Sequence, residues 1–432
     1  MFNISRKTFT TLGISVAAAC LLTSTALAQV GTNTSSLEHT VVLDNLDNPW
    51  DMAFLDDGTM FFTEKCDGLS VMMPSGEVNA LLGVGDTEGY ATNAEDLFCD
   101  GQAGMNGVAI DPNFAENRRI YVYSTSNLSS PQTNRLMRMT VNEDFTNVAD
   151  RTDIIDDVPY KTEATDHPFG GTGAHNGGRV RFGPDGFLWL TTGDNHNGEV
   201  PQSPTSLGSK IIRVDTDGNA AADNAPPEGF DPRIYTYGHR NVQGIAFHPE
   251  TGQAIAAEHG PWHSDEITPL VNGGNGGWDP RGNMAGRGDC PNDYCGYEPN
   301  QMEGMNRFER AAFMPMTDFD TYPDAMPPIW TNNGWSQGTS SAEFLRGEAW
   351  GDWDGAMAVG IMGIGFGGTP IGQRIDVIEL IEEDGSLKVE DVTEMTLPME
   401  SARFRALVLG PDGSLYTAVD EGQIHKLTPP SN

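Results

Sequence analysis

Positive charge is scarce in this chain. Only 25 Lys and Arg stand against 61 Asp and Glu, a formal net charge of −36. So acidic a surface repels phosphate backbones and anionic headgroups, which argues against nucleic acid or an anionic membrane as partner. Cysteine is scarce too, at 5 in 432 residues. Beyond the N-terminal segment no apolar run is long enough to span a bilayer, so no membrane span is expected. Long stretches of helical periodicity are also few, whereas Gly (51) and Pro (27) are plentiful, which argues against a helical protein.

The chain opens with a leader. Arg6 and Lys7 precede a mostly apolar run from Thr11 to Leu22, and Ala26-Leu27-Ala28 is a small-x-small cleavage site. This pattern is that of a secretory signal peptide over residues 1–28. Residues 29–38 are expected to form a flexible segment, 39–428 one folded unit and 429–432 a tail. The mature protein is thus expected to be periplasmic or secreted. In that oxidising setting Cys66, Cys99, Cys290 and Cys295 read as two disulfides, Cys66–Cys99 and the local Cys290–Cys295. The rival reading is a four-thiolate metal site, and neither pair has the C-x2-C spacing it favours.

One phrase recurs: an apolar strand, a Pro/Asp-Gly turn and a second apolar strand. It runs over 53–64, 108–124, 180–191, 245–256 and 408–417, with a degenerate copy over 351–359. Asp-Gly between apolar runs is a strong hairpin signal. Six such hairpins are more than a β-sandwich needs, and they predict an all-β, six-bladed β-propeller with one copy per blade. A loop insertion near residues 281–322 interrupts the longest gap.

Loops from separate blades of a propeller meet at one end of the central channel. Candidate residues should therefore flank the hairpins. Gln102 precedes the second and His175 the third, the latter among small neighbours that leave room for a substrate. A histidine can take a proton near neutral pH. Arg240 and Asn241 precede the fourth, and Gly260-Pro261 follow it. Gly and Pro there bend the chain and present carbonyls, which suit a hard cation such as calcium. Arg403-Phe-Arg405 precedes the last, and at i, i+2 the two arginines share a face. Three arginines on distant loops of an acidic chain point to a bound polyanion. Taken singly, each residue also reads as an ordinary turn or structural side chain.

The ordered series Gly101-Gln102, His175-Asn-Gly-Gly-Arg-Val180, Tyr237-Gly-His-Arg-Asn-Val-Gln-Gly244, Glu258-His-Gly-Pro261 with Asp265-Glu-Ile267, Gly274-Asn-Gly-Gly-Trp278 and Arg403-Phe-Arg405 resembles the soluble pyrroloquinoline quinone (PQQ)-dependent aldose sugar dehydrogenases, the glucose/sorbosone dehydrogenase family. The resemblance covers roughly residues 39–428. It implies a six-bladed propeller that oxidises aldoses, binds PQQ and Ca2+, and passes electrons to a separate acceptor, since no C-x-x-C-His haem motif is present. It further implies His175 as general base, and Arg240 beside the quinone oxygen. Gln102, Asn241, Arg403 and Arg405 would contact the cofactor, and the Gly260 and Pro261 carbonyls the calcium.

Two departures stand out. Glucose-specific members carry Asp before the base, and here it is Ala174, so His175 must be oriented from elsewhere. Residues 359–373 hold no Lys, although some members bind the cofactor with one in that region. Other patterns read as weaker. Gly363–Gly368 fits G-x-G-x-x-G but runs straight into Pro370, so it reads as a glycine-rich loop. His259-x-x-x-His263 has Pro261 inside it, against the helix a zinc hydrolase would use. Asp194-Asn-His-Asn-Gly-Glu199 suggests a structural calcium loop without full EF-hand spacing. The alternative functions are a propeller lactonase-type calcium hydrolase and a non-catalytic extracellular binding propeller that has lost the cofactor.

Overall fold

Asp-Gly turns close the hairpins as their chemistry requires. Gly58, Gly186 and Gly413 adopt φ of 91°, 80° and 76°, a region where a side chain is disfavoured. The computed structural model describes residues 37–162, 171–261, 263–280, 314–332, 334–363 and 372–430. The proposed leader, the Cys290–Cys295 pair and most of Gly363–Gly368 lie outside the described residues.

The chain lays down antiparallel blades in order. Strand β1 (Glu38–Leu43) comes first and starts one residue inside the segment expected to be irregular. Blade one is β2 (Pro49–Phe54), β3 (Met60–Glu64), β4 (Gly68–Met72) and β5 (Val78–Val84), with a short parallel β6 (Thr92–Ala94). Blade two is β7 (Met105–Ile110), β8 (Arg119–Ser126), β9 (Thr133–Val141) and β10 (Val148–Pro159). Blade three is β11 (Val180–Phe182), β12 (Leu188–Thr191), β13 (Ile211–Val214) and β14 (Ile234–Thr236). Blade four is β15 (Val242–Phe247), β16 (Ala254–Glu258), β17 (Glu266–Pro269) and β18 (Trp330–Thr331). Blade five is β19 (Thr339–Phe344), β20 (Met357–Ile361), β21 (Arg374–Glu383) and β22 (Ser386–Glu394). Blade six is β23 (Phe404–Leu409), β24 (Leu415–Val419) and β25 (Gln423–Thr428), and β1 joins it as the outermost strand, closing the ring.

The fold is therefore the six-bladed propeller. One detail corrects the sequence reading. The stretch 351–359 is not a hairpin: Glu348–Trp353 is a 3-10 turn, and the inner strand that pairs with β20 is β19. The polar run Thr339-Ser-Ser hid that strand, because its core contacts come from both flanks of the blade rather than from one alternating face.

The core sits in the seams between blades. Six clusters of buried side chains each join two adjacent blades, such as Phe61, Leu69 and Val71 against Met105, Val108 and Val122 between blades one and two. Strands covered on both faces read as unbroken apolar runs; β3 and β16 are buried at every residue. Strand β22 is outermost and mostly exposed. Among the described residues no helix is long and apolar enough to cross a membrane.

The channel is plugged by charge. Arg179, 1% exposed in its side chain, donates to Asp51 Oδ1 at 2.5 Å and to the carbonyls of Gln243 (3.0 Å) and Arg405 (2.9 Å). It thus ties blade three to blades one, four and six, with its guanidinium 4.3 Å over the Trp50 ring. Arg181 holds the same Asp51 carboxylate from a second side at 2.8 Å. The two guanidiniums overcome the burial that would push this carboxyl up, and they hold it below the usual carboxylate range.

Candidate active site

Antiparallel pairing puts the start of each inner strand beside the end of the next, as in Val180↔Leu190, Val242↔Glu258 and Phe404↔Val419. The loops before first strands and after second strands therefore share one end of the propeller. Every candidate but Arg405 lies on such a loop. Gln102, His175, Arg240 and Arg403 come before β7, β11, β15 and β23, Asn241 immediately precedes β15 and Arg405 is the second residue of β23. Gly260 and Pro261 follow β16.

His175 is buried and sits at φ +53°, a conformation that L residues seldom adopt and that is found where a site demands it. Its Nδ1 lies 2.7 Å from Asp194 Oδ1. Asp194 follows β12 and is fully buried; its Oδ1 also accepts the His196 N–H (2.9 Å), and its Oδ2 accepts Trp278 Nε1–H (2.8 Å). This is the partner that the absent Asp at position 174 required. The Asp194–Glu199 loop, which the sequence suggested as a structural calcium loop, turns its first carboxylate toward these N–H donors. Gly193 has to be glycine, because a Cβ there would collide with the His175 carbonyl.

His175 Nε2 faces two further groups, Arg240 Nη2 at 3.1 Å and His196 Nε2 at 2.7 Å. Arg240 donates through Nη1 to the His259 carbonyl at 2.7 Å, and its Nε is buried with no partner among the described residues. Its backbone N–H and that of Asn241 both bind Glu258 Oε1, and Glu258 Oε2 meets His239 Nδ1 at 3.0 Å. One buried carboxylate at the end of β16 thereby fixes the whole turn. Asn241 Oδ1 accepts Gly177 N–H at 3.1 Å, which ties this turn to the His175 loop. Gln102 is exposed, and its Oε1 accepts the His175 N–H at 3.2 Å.

Arg403 and Arg405 converge on one carboxylate. Arg403 Nε donates to Asp420 Oδ2 at 2.9 Å, and Arg405 donates through Nε and Nη2 to Oδ1 and Oδ2, both at 2.8 Å. Two guanidiniums on one carboxylate leave net positive charge. Their field reaches His259: burial first, then Arg240, Arg403 and Arg405 against the opposing Asp265, hold its ring down to about 4. Lys65, after β3, belongs to the same patch. Burial and then Arg405 push its ammonium below the ordinary value, while Asp420 opposes them. Its Nζ donates to the Gly101 carbonyl at 2.9 Å. The Cys66–Cys99 disulfide, with Cα atoms 5.1 Å apart, staples the Lys65 loop to the Gln102 loop.

Gly260 and Pro261 are buried. Gly260 N–H donates to Asp265 Oδ1 at 2.8 Å, and neither residue's carbonyl accepts a hydrogen bond from the described residues. Among the described residues, no group of three or more His, Cys, Asp or Glu side chains is placed to hold a metal. The far end of the insertion supports the site from outside. Met314 and Met316 pack on Trp278, and Thr317 donates to the buried Glu266 at 2.9 Å.

Sequence reasoning missed Asp194, His196, Trp278, Lys65 and Asp420 as site residues. The signal for three of them was positional, since Asp194 and His196 follow the third hairpin and Asp420 the last.

The family model described as Glucose / Sorbosone dehydrogenase matches residues 46–426. The chain is 26% identical over 394 residues to aldose sugar dehydrogenase YliI of Escherichia coli, covering 90% of this chain and 92% of that one. It is 28% identical over 326 residues to quinoprotein glucose dehydrogenase B of Acinetobacter calcoaceticus, covering 67% and 63%. The PQQ-bound aldose sugar dehydrogenase from Streptomyces coelicolor shares the fold, with a TM-score of 0.63 at 21% identity over 91% of this chain and 98% of that one.

Proposed function

The chain belongs to the glucose/sorbosone dehydrogenase family, and from that premise we propose that it is an exported, PQQ- and calcium-dependent oxidoreductase that converts aldoses to lactones. The observation that carries this reading is a buried His–Asp pair whose second imidazole nitrogen lies 3.1 Å from an arginine, at the mouth where two more arginines converge.

The residues fit the cofactors. PQQ is a tricarboxylate, and Arg240, Arg403, Arg405 and Lys65 offer four cations there, with Asp420 the carboxylate the two C-terminal arginines share. The Arg240 Nε and the carbonyls of the buried residues Gly260 and Pro261 are polar groups that no described residue engages, and they are available to a ligand. When bound, PQQ with its calcium supplies an electrophilic ortho-quinone that takes hydride from the sugar.

His175 is the general base. Its Nδ1–H donates to Asp194, so Nε2 carries the lone pair that takes the anomeric hydroxyl proton, and Asp194 then steadies the imidazolium. Arg240 stabilises negative charge developing beside that nitrogen, in a partly buried site where a guanidinium acts strongly. Electrons leave to a separate acceptor.

The test is reconstitution. Purified protein given PQQ and Ca2+ should reduce a dye when aldoses are added and should bind PQQ by absorbance. Binding without sugar-dependent reduction would remove aldose oxidation from the reading. Neither binding nor reduction would remove the reading.

A further inference from the structure

His196 has no role in the reaction just described, yet among the described residues it is the polar group nearest to the reacting nitrogen of His175. The two Nε2 atoms are 2.7 Å apart, and the rings meet edge to face at 81°. His196 is buried at φ +55°, directly after Asn195 at φ +55°. Two successive residues in the left-handed region hold the loop in a shape it would not adopt without support. That support comes from Asp194, whose Oδ1 receives both His175 Nδ1–H and His196 N–H.

Proton bookkeeping assigns each contact. Two nitrogens at 2.7 Å must share one proton. The His175 proton is on Nδ1, facing a carboxylate, so the shared one belongs to His196 Nε2, and Arg240 Nη2, which can only donate, reaches the same lone pair from 3.1 Å as a second, longer donor. His196 Nδ1 is then an acceptor, and Lys161 Nζ lies 3.5 Å from it. The order is Lys161, His196, His175, Asp194, each donating to the next. A neutral His196 suits its surroundings. Burial, then His175, Lys161 and Arg240, against the opposing Asp194, hold its pKa well below the ordinary range.

We propose that His196 is a positioning residue for His175: without substrate its Nε2–H occupies the His175 Nε2 lone pair, and the sugar hydroxyl must displace it to reach the base. This rests on the reading of His175 as base. Once His175 has taken the hydroxyl proton, two N–H groups would face each other, so His196 stays withdrawn until that proton leaves. The arrangement keeps the imidazole in its reactive tautomer and rotation between turnovers, and makes each substrate compete with an internal donor.

The experiment uses the full chain with 15N-labelled histidine and two variants. Asn tolerates the left-handed conformation but is too short to reach His175, so His196→Asn removes the donor. His196→Gln keeps one within reach. In cofactor-free protein, nitrogen shifts should place the proton of His175 on Nδ1 and that of His196 on Nε2. Losing a hydrogen bond to neutral His175 should raise its titration midpoint by roughly 0.5–1 unit in His196→Asn, and His196→Gln should restore it. In reconstituted enzyme the acid limb of kcat/KM should move by the same amount. His175 protonated on Nε2 in wild type, or an unmoved midpoint in His196→Asn, overturns the proposal. Shifts as expected with no sugar oxidation in any form would uphold the pairing and remove the dehydrogenase reading instead.

Discussion

Replacing Asp194 by Asn tests the catalytic pair with almost no change in shape. Among the described residues the carboxylate accepts three N–H groups, from His175 and His196 on Oδ1 and from Trp278 on Oδ2. An amide has one oxygen, so its NH2 must oppose a donor. Turning it toward Oδ1's partners would oppose two, and turning it toward Trp278 opposes one. The second orientation wins, and His175 keeps its tautomer. The cost to folding is then one unsatisfied indole N–H, about 1–3 kcal/mol, which leaves the protein folded. The catalytic cost is the lost charge. With ~4 Å between the centres of carboxylate and imidazolium, an effective dielectric of about 20 gives about 4 kcal/mol. Turnover should fall about 10³-fold while PQQ affinity hardly moves. Steady-state dye reduction at saturating PQQ, calcium and sugar measures it. Because Asp194 acts through His175, the double variant should be no slower than His175→Ala alone. Turnover within tenfold of wild type, or additive losses in the double variant, would refute the pairing.

Four further outcomes are expected. His175→Ala should retain PQQ binding and lose roughly 10²–10⁴ in turnover, and near-normal turnover would show the base to be misassigned. Arg403→Ala should act mainly through cofactor affinity, with excess PQQ restoring part of the activity; a loss that PQQ does not touch would contradict a binding role. Arg179→Met strips a partner from buried Asp51 and donors from three blades, and should cost about 3–5 kcal/mol in denaturant melts, against less than 1 if the channel is hydrated. Burial raises the Glu64 carboxyl from 4.5 to about 7, against the Asp47 N–H and with Asp67 and Asp47 adding to the rise. A raised acid contributes stability fully below pH 4.5 and loses it as pH climbs through 7, so Glu64→Gln should flatten the stability profile between pH 5 and 8, and an unchanged slope would contradict it.

The propeller was legible because its turns are local chemistry. Asp57-Gly58, Asp185-Gly186 and Asp412-Gly413 announce hairpins without reference to anything distant. Blade five was less legible because its inner strand begins Thr339-Ser340-Ser341. These hydroxyls are buried, and Ser340 Oγ bonds the carbonyls of Gly360 and Phe404 instead of water. Polarity satisfied across a seam looks like a loop in one dimension.

The site shows the same division between what is local and what is not. His175, Arg240 and Arg403 stand next to glycine- or turn-rich punctuation, so each could be singled out before any contact was known. Asp194 stood out only as the start of a possible calcium loop, because its actual contacts are N–H groups of residues 175, 196 and 278, which only closure of the ring assembles. Charge behaves likewise. Along the chain Arg403 and Arg405 look like two cations for a ligand, but Asp420, fifteen residues beyond the second, already engages both. The patch is therefore weaker than three arginines suggest and, with Lys65 stapled in by Cys66–Cys99, broader. A polyanion bound there has to compete with Asp420 for Arg403 and Arg405, whereas Arg240, whose side chain meets no carboxylate among the described residues, is available to it at once. Ground-state affinity should accordingly depend more steeply on Arg240 than on either C-terminal arginine, an order that PQQ titrations of the three single alanine variants would establish or reverse.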